Sequence, residues 1–77
     1  MIAIHNIQGI SFDQNFIYLQ IDGKQVKAPL DLISEKLKEA DDFQRGFYQI
    51  SPSGYGIHWP LIDEDLSVDA LLNAFAE

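Results

Sequence analysis

A histidine and three consecutive acids near the C-terminal end carry the chemistry that this sequence offers. His58 stands five residues before Asp63-Glu64-Asp65. Carboxylate oxygens bind hard cations such as Ca²⁺, and a histidine can serve as a base or a metal ligand near neutral pH. One interpretation is therefore a small metal-dependent hydrolase that uses His58, Asp63 and Glu64.

Two other interpretations of the acids stay open. Neighbouring side chains converge poorly on one ion, and the run lacks the spacing of an EF-hand loop. The acids can instead form a solvated turn that leads into a helix capped by Ser67, which we favour, or a patch that attracts a basic partner.

A lone histidine favours a structural role. None of Ser51, Ser53 and Ser67 lies in a Gly-x-Ser-x-Gly context, so no nucleophile accompanies His58. We expect His58 at a sheet edge, bonded to a carbonyl or a nearby acid. The sequence thus predicts a protein that is not an enzyme and that needs no cofactor.

Aromatic residues supply the candidate apolar contacts with a partner. Trp59 is the single tryptophan and is either a core residue, which we favour, or an interface anchor. Phe16 and Tyr18 share one face of a strand whose other face is also apolar. A strand that is apolar on both faces must be covered on both, which predicts a protein partner or a homodimer.

Size and charge exclude several classes. The 77 residues predict one domain, 1–77, with little room for a deep cleft. Five basic against twelve acidic residues give a formal charge of −7, which disfavours direct nucleic-acid binding. The absence of cysteine excludes thiolate chemistry, and no apolar run could span a membrane. We expect a soluble cytoplasmic protein.

The periodicity of apolar residues predicts an α+β fold of order β-β-β-α-β-β-α. A first strand alternates through Ile2, Ile4, Ile10 and Phe12 with a bulge or a bend at Gln8-Gly9, and a hairpin turns at Asp22-Gly23. A helix capped by Asp31 or Ser34 follows Pro29, and a second hairpin turns at residues 51–54. We expect one small antiparallel sheet with two helices on one face.

The last third of the chain resembles a known bacterial family. Gly56-Ile57-His58-Trp59-Pro60, then Asp63-Glu64-Asp65-Leu66-Ser67-Val68, then Leu71-Leu72 are similar to the motifs of the domain of unknown function 2442. The resemblance supports the fold. It implies one half of a two-protein operon pair of toxin–antitoxin type or, because longer relatives carry a helix-turn-helix, a DNA-associated regulator acting through another subunit.

Our prediction from the sequence is a non-catalytic protein-interaction module. In this role Asp63, Glu64 and Asp65 attract a basic partner, and Trp59, Phe16 and Tyr18 supply apolar contact.

Overall fold

The α+β class is confirmed by a computed structural model that describes residues 4–76. Ile2, which we placed in the first strand, lies outside the described residues. The elements, in chain order, are β1 (Ile7–Phe12), β2 (Phe16–Ile21), β3 (Lys24–Pro29), α1 (Leu30–Ile33), α2 (Glu35–Glu39), α3 (Asp42–Gly46), β4 (Gln49–Ile50), β5 (Gly56–Trp59), β6 (Glu64–Ser67) and α4 (Val68–Phe75).

The first sheet is an antiparallel meander in the order β1-β2-β3. Its tight turn is the predicted Asp22-Gly23 pair, with φ of 53° and 79°, the left-handed values that a type I′ turn requires. A register shift between Ile7 and Gly9 confirms the predicted bulge. The inner face of β2 is buried through Ile17, Leu19 and Ile21, because alternate residues of a strand share a face.

The second sheet has the order β4-β5-β6, so two three-stranded sheets replace the single sheet that we expected. The Ser51–Gly54 turn closes as predicted, since the Gly54 N–H donates to the Ser51 carbonyl at 2.9 Å. β6 was missed. The chain turns at Asp63, whose φ is 52°, and pairs Glu64 with Trp59. A short strand with Leu66 as its single large apolar side chain carries too little alternation to be recognised.

The predicted middle helix is two short helices, α1 and α2, and a third, α3, follows where no helix was predicted. Ser34 is extended, with φ of −166° and ψ of 105°, and interrupts the helical run after Ile33. Its side chain then caps α2 by accepting a hydrogen bond from the Leu37 N–H at 3.1 Å. Of the two caps left open, Ser34 is therefore the one used, and Asp41 begins α3 with a capping box.

The last helix agrees with the prediction. Ser67 caps it by accepting a hydrogen bond from the Ala70 N–H at 3.2 Å, and Val68 and Leu71 are buried. α4 packs against β3 and β6, and thus joins the two sheets. Among residues 4–76, no helix is long and apolar enough to cross a membrane. One continuous set of buried apolar side chains draws on both sheets and on α1, α2 and α4.

Candidate functional site

The three consecutive acids make different contacts within the fold. Asp63 lies in the turn, where its backbone carbonyl accepts a hydrogen bond from Lys36 Nζ at 2.9 Å. Glu64 Oε2 accepts a hydrogen bond from the Ser34 hydroxyl at 2.5 Å, on the inner side of β6. Asp65 is the next residue of the strand and therefore lies on the other side. The run is a turn followed by the strand β6, and it leads into the Ser67 cap as we expected; only the intervening strand was not predicted.

His58 is paired with Asp65, on the strand opposite. The two residues are register partners in β5 and β6, and His58 Nδ1 lies 2.8 Å from Asp65 Oδ1. The prediction that His58 bonds a nearby acid is confirmed. Its predicted place at a sheet edge is wrong, because β5 is the central strand and His58 pairs with Gln49 on its other side.

The residues proposed for a metal site do not come together. Glu64 is turned towards Ser34, and the acid that meets His58 is Asp65 rather than Asp63 or Glu64. Within residues 4–76, no group of three or more metal-ligating side chains has a geometry that could hold an ion. The geometry therefore gives no support to a hydrolase built on His58, Asp63 and Glu64.

Trp59 is a core residue. Its side chain is fully buried, and its ring lies 6.1 Å from that of Tyr48 and 6.4 Å from that of Phe12, measured between centroids. The indole Nε1–H donates to the backbone carbonyl of Arg45 at 2.9 Å. The favoured core assignment is confirmed. A buried indole offers no surface to a partner, so the alternative interpretation of Trp59 as an interface anchor is wrong.

Phe16 and Tyr18 lie on the outer face of the first sheet and are half-buried there. Lys27 Nζ lies 4.4 Å from the centroid of the Phe16 ring, a cation–π contact. The Tyr18 hydroxyl donates to Asp13 Oδ2 at 2.5 Å. This bond raises the pKa of Tyr18 and lowers that of Asp13. Part of the face that we expected a partner to cover is thus covered by side chains of the chain itself.

Arg45 is the one arginine of the chain, and it is buried. Its guanidinium donates three hydrogen bonds, all to backbone carbonyls: Nε to Leu37 at 2.9 Å, Nη1 to Asp13 at 2.8 Å and Nη2 to Lys38 at 3.1 Å. The Leu37 and Lys38 carbonyls belong to the C-terminal end of α2, where a cation is favourable. Sequence reasoning assigned no role to Arg45.

His5 is the second residue that sequence reasoning missed. Its ring is bracketed by two carboxylates, with Nδ1 2.7 Å from Asp22 Oδ2 and Nε2 2.6 Å from Asp69 Oδ1. These hydrogen bonds, the one to Asp22 first, raise the pKa of His5 above 6.5. A hydrogen bond from the Asn6 N–H, together with the histidine, lowers the pKa of Asp22. With both ring nitrogens engaged, His5 fastens the N-terminal segment to the first hairpin and α4.

The surface charge is more one-sided than the composition implies. Every described Asp and Glu is exposed except Glu64, which is half-buried. Of the basic residues, Arg45 is buried, and Lys38 is half-buried in an ion pair with Asp31 at 2.9 Å. Within residues 4–76, the exposed lysines are Lys24, Lys27 and Lys36.

The comparisons with known proteins identify a family. A family model described as "Protein of unknown function (DUF2442)" matches residues 7–77. The match confirms the resemblance, which in the sequence is specific from about Gly54 to Leu72 and moderate back to about Leu30, and it covers nearly the whole chain. No curated protein and no solved structure was found to match the chain.

Proposed function

This chain belongs to the DUF2442 family of proteins of unknown function, and we propose that it is a cytoplasmic, non-catalytic module that binds a basic protein partner. The partner of this proposal is the other half of a two-protein operon pair, which is the arrangement that the family resemblance implies.

The observation that carries the proposal is the separation of charge. The arginine is used inside the fold on backbone carbonyls, whereas nearly all carboxylates stay in solvent. An acidic surface raises the rate of encounter with a basic partner and suppresses binding to acidic ones. It also repels the phosphates of nucleic acids.

The acids best placed to attract a partner are Asp63 and Asp65. Both are exposed and adjoin one strand, and the Asp63 carboxylate makes no hydrogen bond within the described residues. Glu64 is half-buried and bonded to Ser34, so its role is to hold β6 against α2. Phe16 and Tyr18 remain candidates for apolar contact, although Lys27 covers part of them.

The geometry of the two histidines supports a non-catalytic role. Both ring nitrogens of His5 are occupied by carboxylates, so the ring could accept a proton from a substrate only after breaking one of these bonds. His58 is oriented by Asp65, but the Asp65 side chain is 75 % exposed. Water weakens the charge interactions on which such a pair would depend in catalysis.

Capture from the native host's lysate, followed by reconstitution with the purified partner, tests the proposal. We expect one stoichiometric basic protein whose affinity falls as salt rises. Asp63→Asn/Asp65→Asn should weaken binding and leave the chain folded. Asparagine keeps the shape of both side chains and tolerates the positive φ at position 63.

The matched control is Glu39→Gln/Asp42→Asn, which removes the same charge from exposed positions on α2 and α3. Equal weakening by both double variants would mean that net charge alone matters and that Asp63 and Asp65 have no special place. A captured partner that is acidic, or whose affinity is indifferent to salt, would contradict the proposal.

A further inference from the structure

An open apolar groove lies between α1 and α4. Its volume is about 270 Å³, and its residues come from α1, α4 and the end of β6. They are Leu32, Ile33, Leu66, Ser67, Ala70, Leu71, Ala74 and Phe75. Ser67 is the one polar residue among them.

Leu32 is the most exposed large apolar side chain of this groove. It is 76 % exposed, whereas Leu30, two residues earlier on the same short helix, is fully buried. Single exposed leucines are ordinary, but this one adjoins a concave surface with Ile33 and Phe75. Burying an exposed leucine side chain is favourable, because apolar surface leaves water. Because Leu32 is mostly exposed, most of this favourable free energy would be gained only when a partner buries its side chain.

The elements that form the groove are acidic. Asp31 and Asp69 adjoin the groove residues Leu32 and Ala70 in sequence, with side chains 73 % and 58 % exposed, and α1, β6 and α4 contain no lysine or arginine. Basic side chains of other elements reach both acids: Lys38 pairs with Asp31, and His5 pairs with Asp69. Lys38 and His5 are only 31 % and 14 % exposed, so the carboxylates are the members of these pairs that face solvent.

We propose that this groove receives an amphipathic basic helix of the partner, with large apolar side chains seated between Leu32 and Phe75. The proposal rests on the proposed function and gives it a location and a partner chemistry. A helix inserts apolar side chains at i, i+3, i+4 and i+7 into such a groove, and its flanking lysines or arginines then lie near the acids. A second copy of this chain would instead bring like charges together.

The test is an NMR titration of the intact chain with three synthetic peptides. The first carries leucine at i, i+3, i+4 and i+7 and lysine elsewhere. The second has serine for each leucine, and the third has glutamate for each lysine. We expect saturable shifts at Leu32, Ala70 and Ala74 with the first peptide, at least about tenfold weaker binding of the second, and none of the third.

Two variants locate the binding. Leu32→Ser should weaken the first peptide by roughly tenfold or more, because a leucine contact of about 1.5–3 kcal/mol is lost. Leu61→Ser is the matched control, since Leu61 is also exposed, at 48 %, but does not line the groove. Both positions lie on the surface, so neither change should unfold the chain.

Several results would contradict the proposal that this groove binds a basic helix. Equal binding of the leucine and serine peptides would leave an attraction by charge alone, and shifts centred on Phe16 and Tyr18 would place the apolar contact elsewhere. Either result would spare the proposed function. Absence of binding by all peptides would reject the helix as occupant. Shifts at Leu32 that grow with protein concentration alone would make a second copy the occupant, which would contradict the proposal.

Discussion

Replacing Arg45 with methionine should strongly destabilise the fold, although the residue lies on a five-residue helix. Methionine keeps the length of the apolar stem and removes all three hydrogen bonds to the Leu37, Lys38 and Asp13 carbonyls. These contacts join the end of α2 and the β1–β2 turn to α3. Trp59, which donates to the Arg45 carbonyl, fastens the same helix from the core.

The magnitude follows from the bonds lost. Hydrogen bonds involving a charged group contribute about 1.5–3 kcal/mol each. The total is lower than three times this figure, because the Leu37 carbonyl also accepts the Ala40 N–H and because removal of a buried charge relieves its desolvation. We expect a loss of about 2–4 kcal/mol. A domain of this size has a stability of roughly 4–11 kcal/mol.

Thermal and urea unfolding, monitored through the fluorescence of the single buried Trp59, measure this loss of stability. At about 4–8 °C per kcal/mol, the Tm of Arg45→Met should fall by roughly 10–30 °C. Arg45→Lys should lie between wild type and Arg45→Met, because an ammonium cannot reproduce the planar fork of donors. The control Lys38→Met removes a cation from a half-buried ion pair and should cost about 1 kcal/mol or less.

Equal losses for Arg45→Met and Lys38→Met, both at or below about 1 kcal/mol, would refute this reasoning. The carbonyls would then be satisfied by water, and the arginine would be buried only by the packing of its stem. A second measurement separates these cases. The guanidinium Nε–H should exchange slowly with solvent in the wild type if it is held on the Leu37 carbonyl.

Three further predictions concern stability. Because the pKa of His5 is raised above 6.5 in the folded state, protonated His5 stabilises the fold fully below pH 6.5, and this stabilisation is lost as the pH rises through the folded-state pKa. His5→Gln should therefore flatten this part of the plot of urea unfolding midpoint against pH. Gly54→Ala should cost roughly 2–4 kcal/mol, since φ is +75° and a Cβ would lie 2.0 Å from the His5 carbonyl oxygen; Gly46→Ala, in open space, is the control in the same melts. Ser67→Ala should cost about 1 kcal/mol in thermal unfolding through loss of the α4 cap, and a neutral result would contradict the capping role.

Much of the fold could be predicted because its signals are local. The Asp22-Gly23 turn needs only a residue pair that accepts positive φ, and the Ser67 cap needs only one hydroxyl before an amphipathic stretch. The bulge before Gly9 appeared as a break in alternation. Each of these features is set by fewer than about ten neighbouring residues, which is the range over which periodicity can be read.

The features that the sequence did not predict depend on contacts between residues that are distant in sequence. His5 bonds Asp69 across 64 positions, and Arg45 bonds Asp13 across 32. No local pattern distinguishes a histidine or an arginine destined for such a contact from one in solvent. The break of the middle helix at Ser34 has the same origin, because the hydroxyl that caps α2 also donates to Glu64 on a strand that the sequence did not reveal.

The same distant contacts support our proposal that a partner binds at the outer surface. The inner faces of both sheets, α1, α2 and α4 are used to build one small core, and the one tryptophan and the one arginine are inside it. In the described part of the chain, the outer surface carries most of the carboxylates, three exposed lysines and a few large apolar side chains, of which Leu32 is the most exposed. Under the proposed function, this acidic and partly apolar surface binds a basic, apolar segment of a partner.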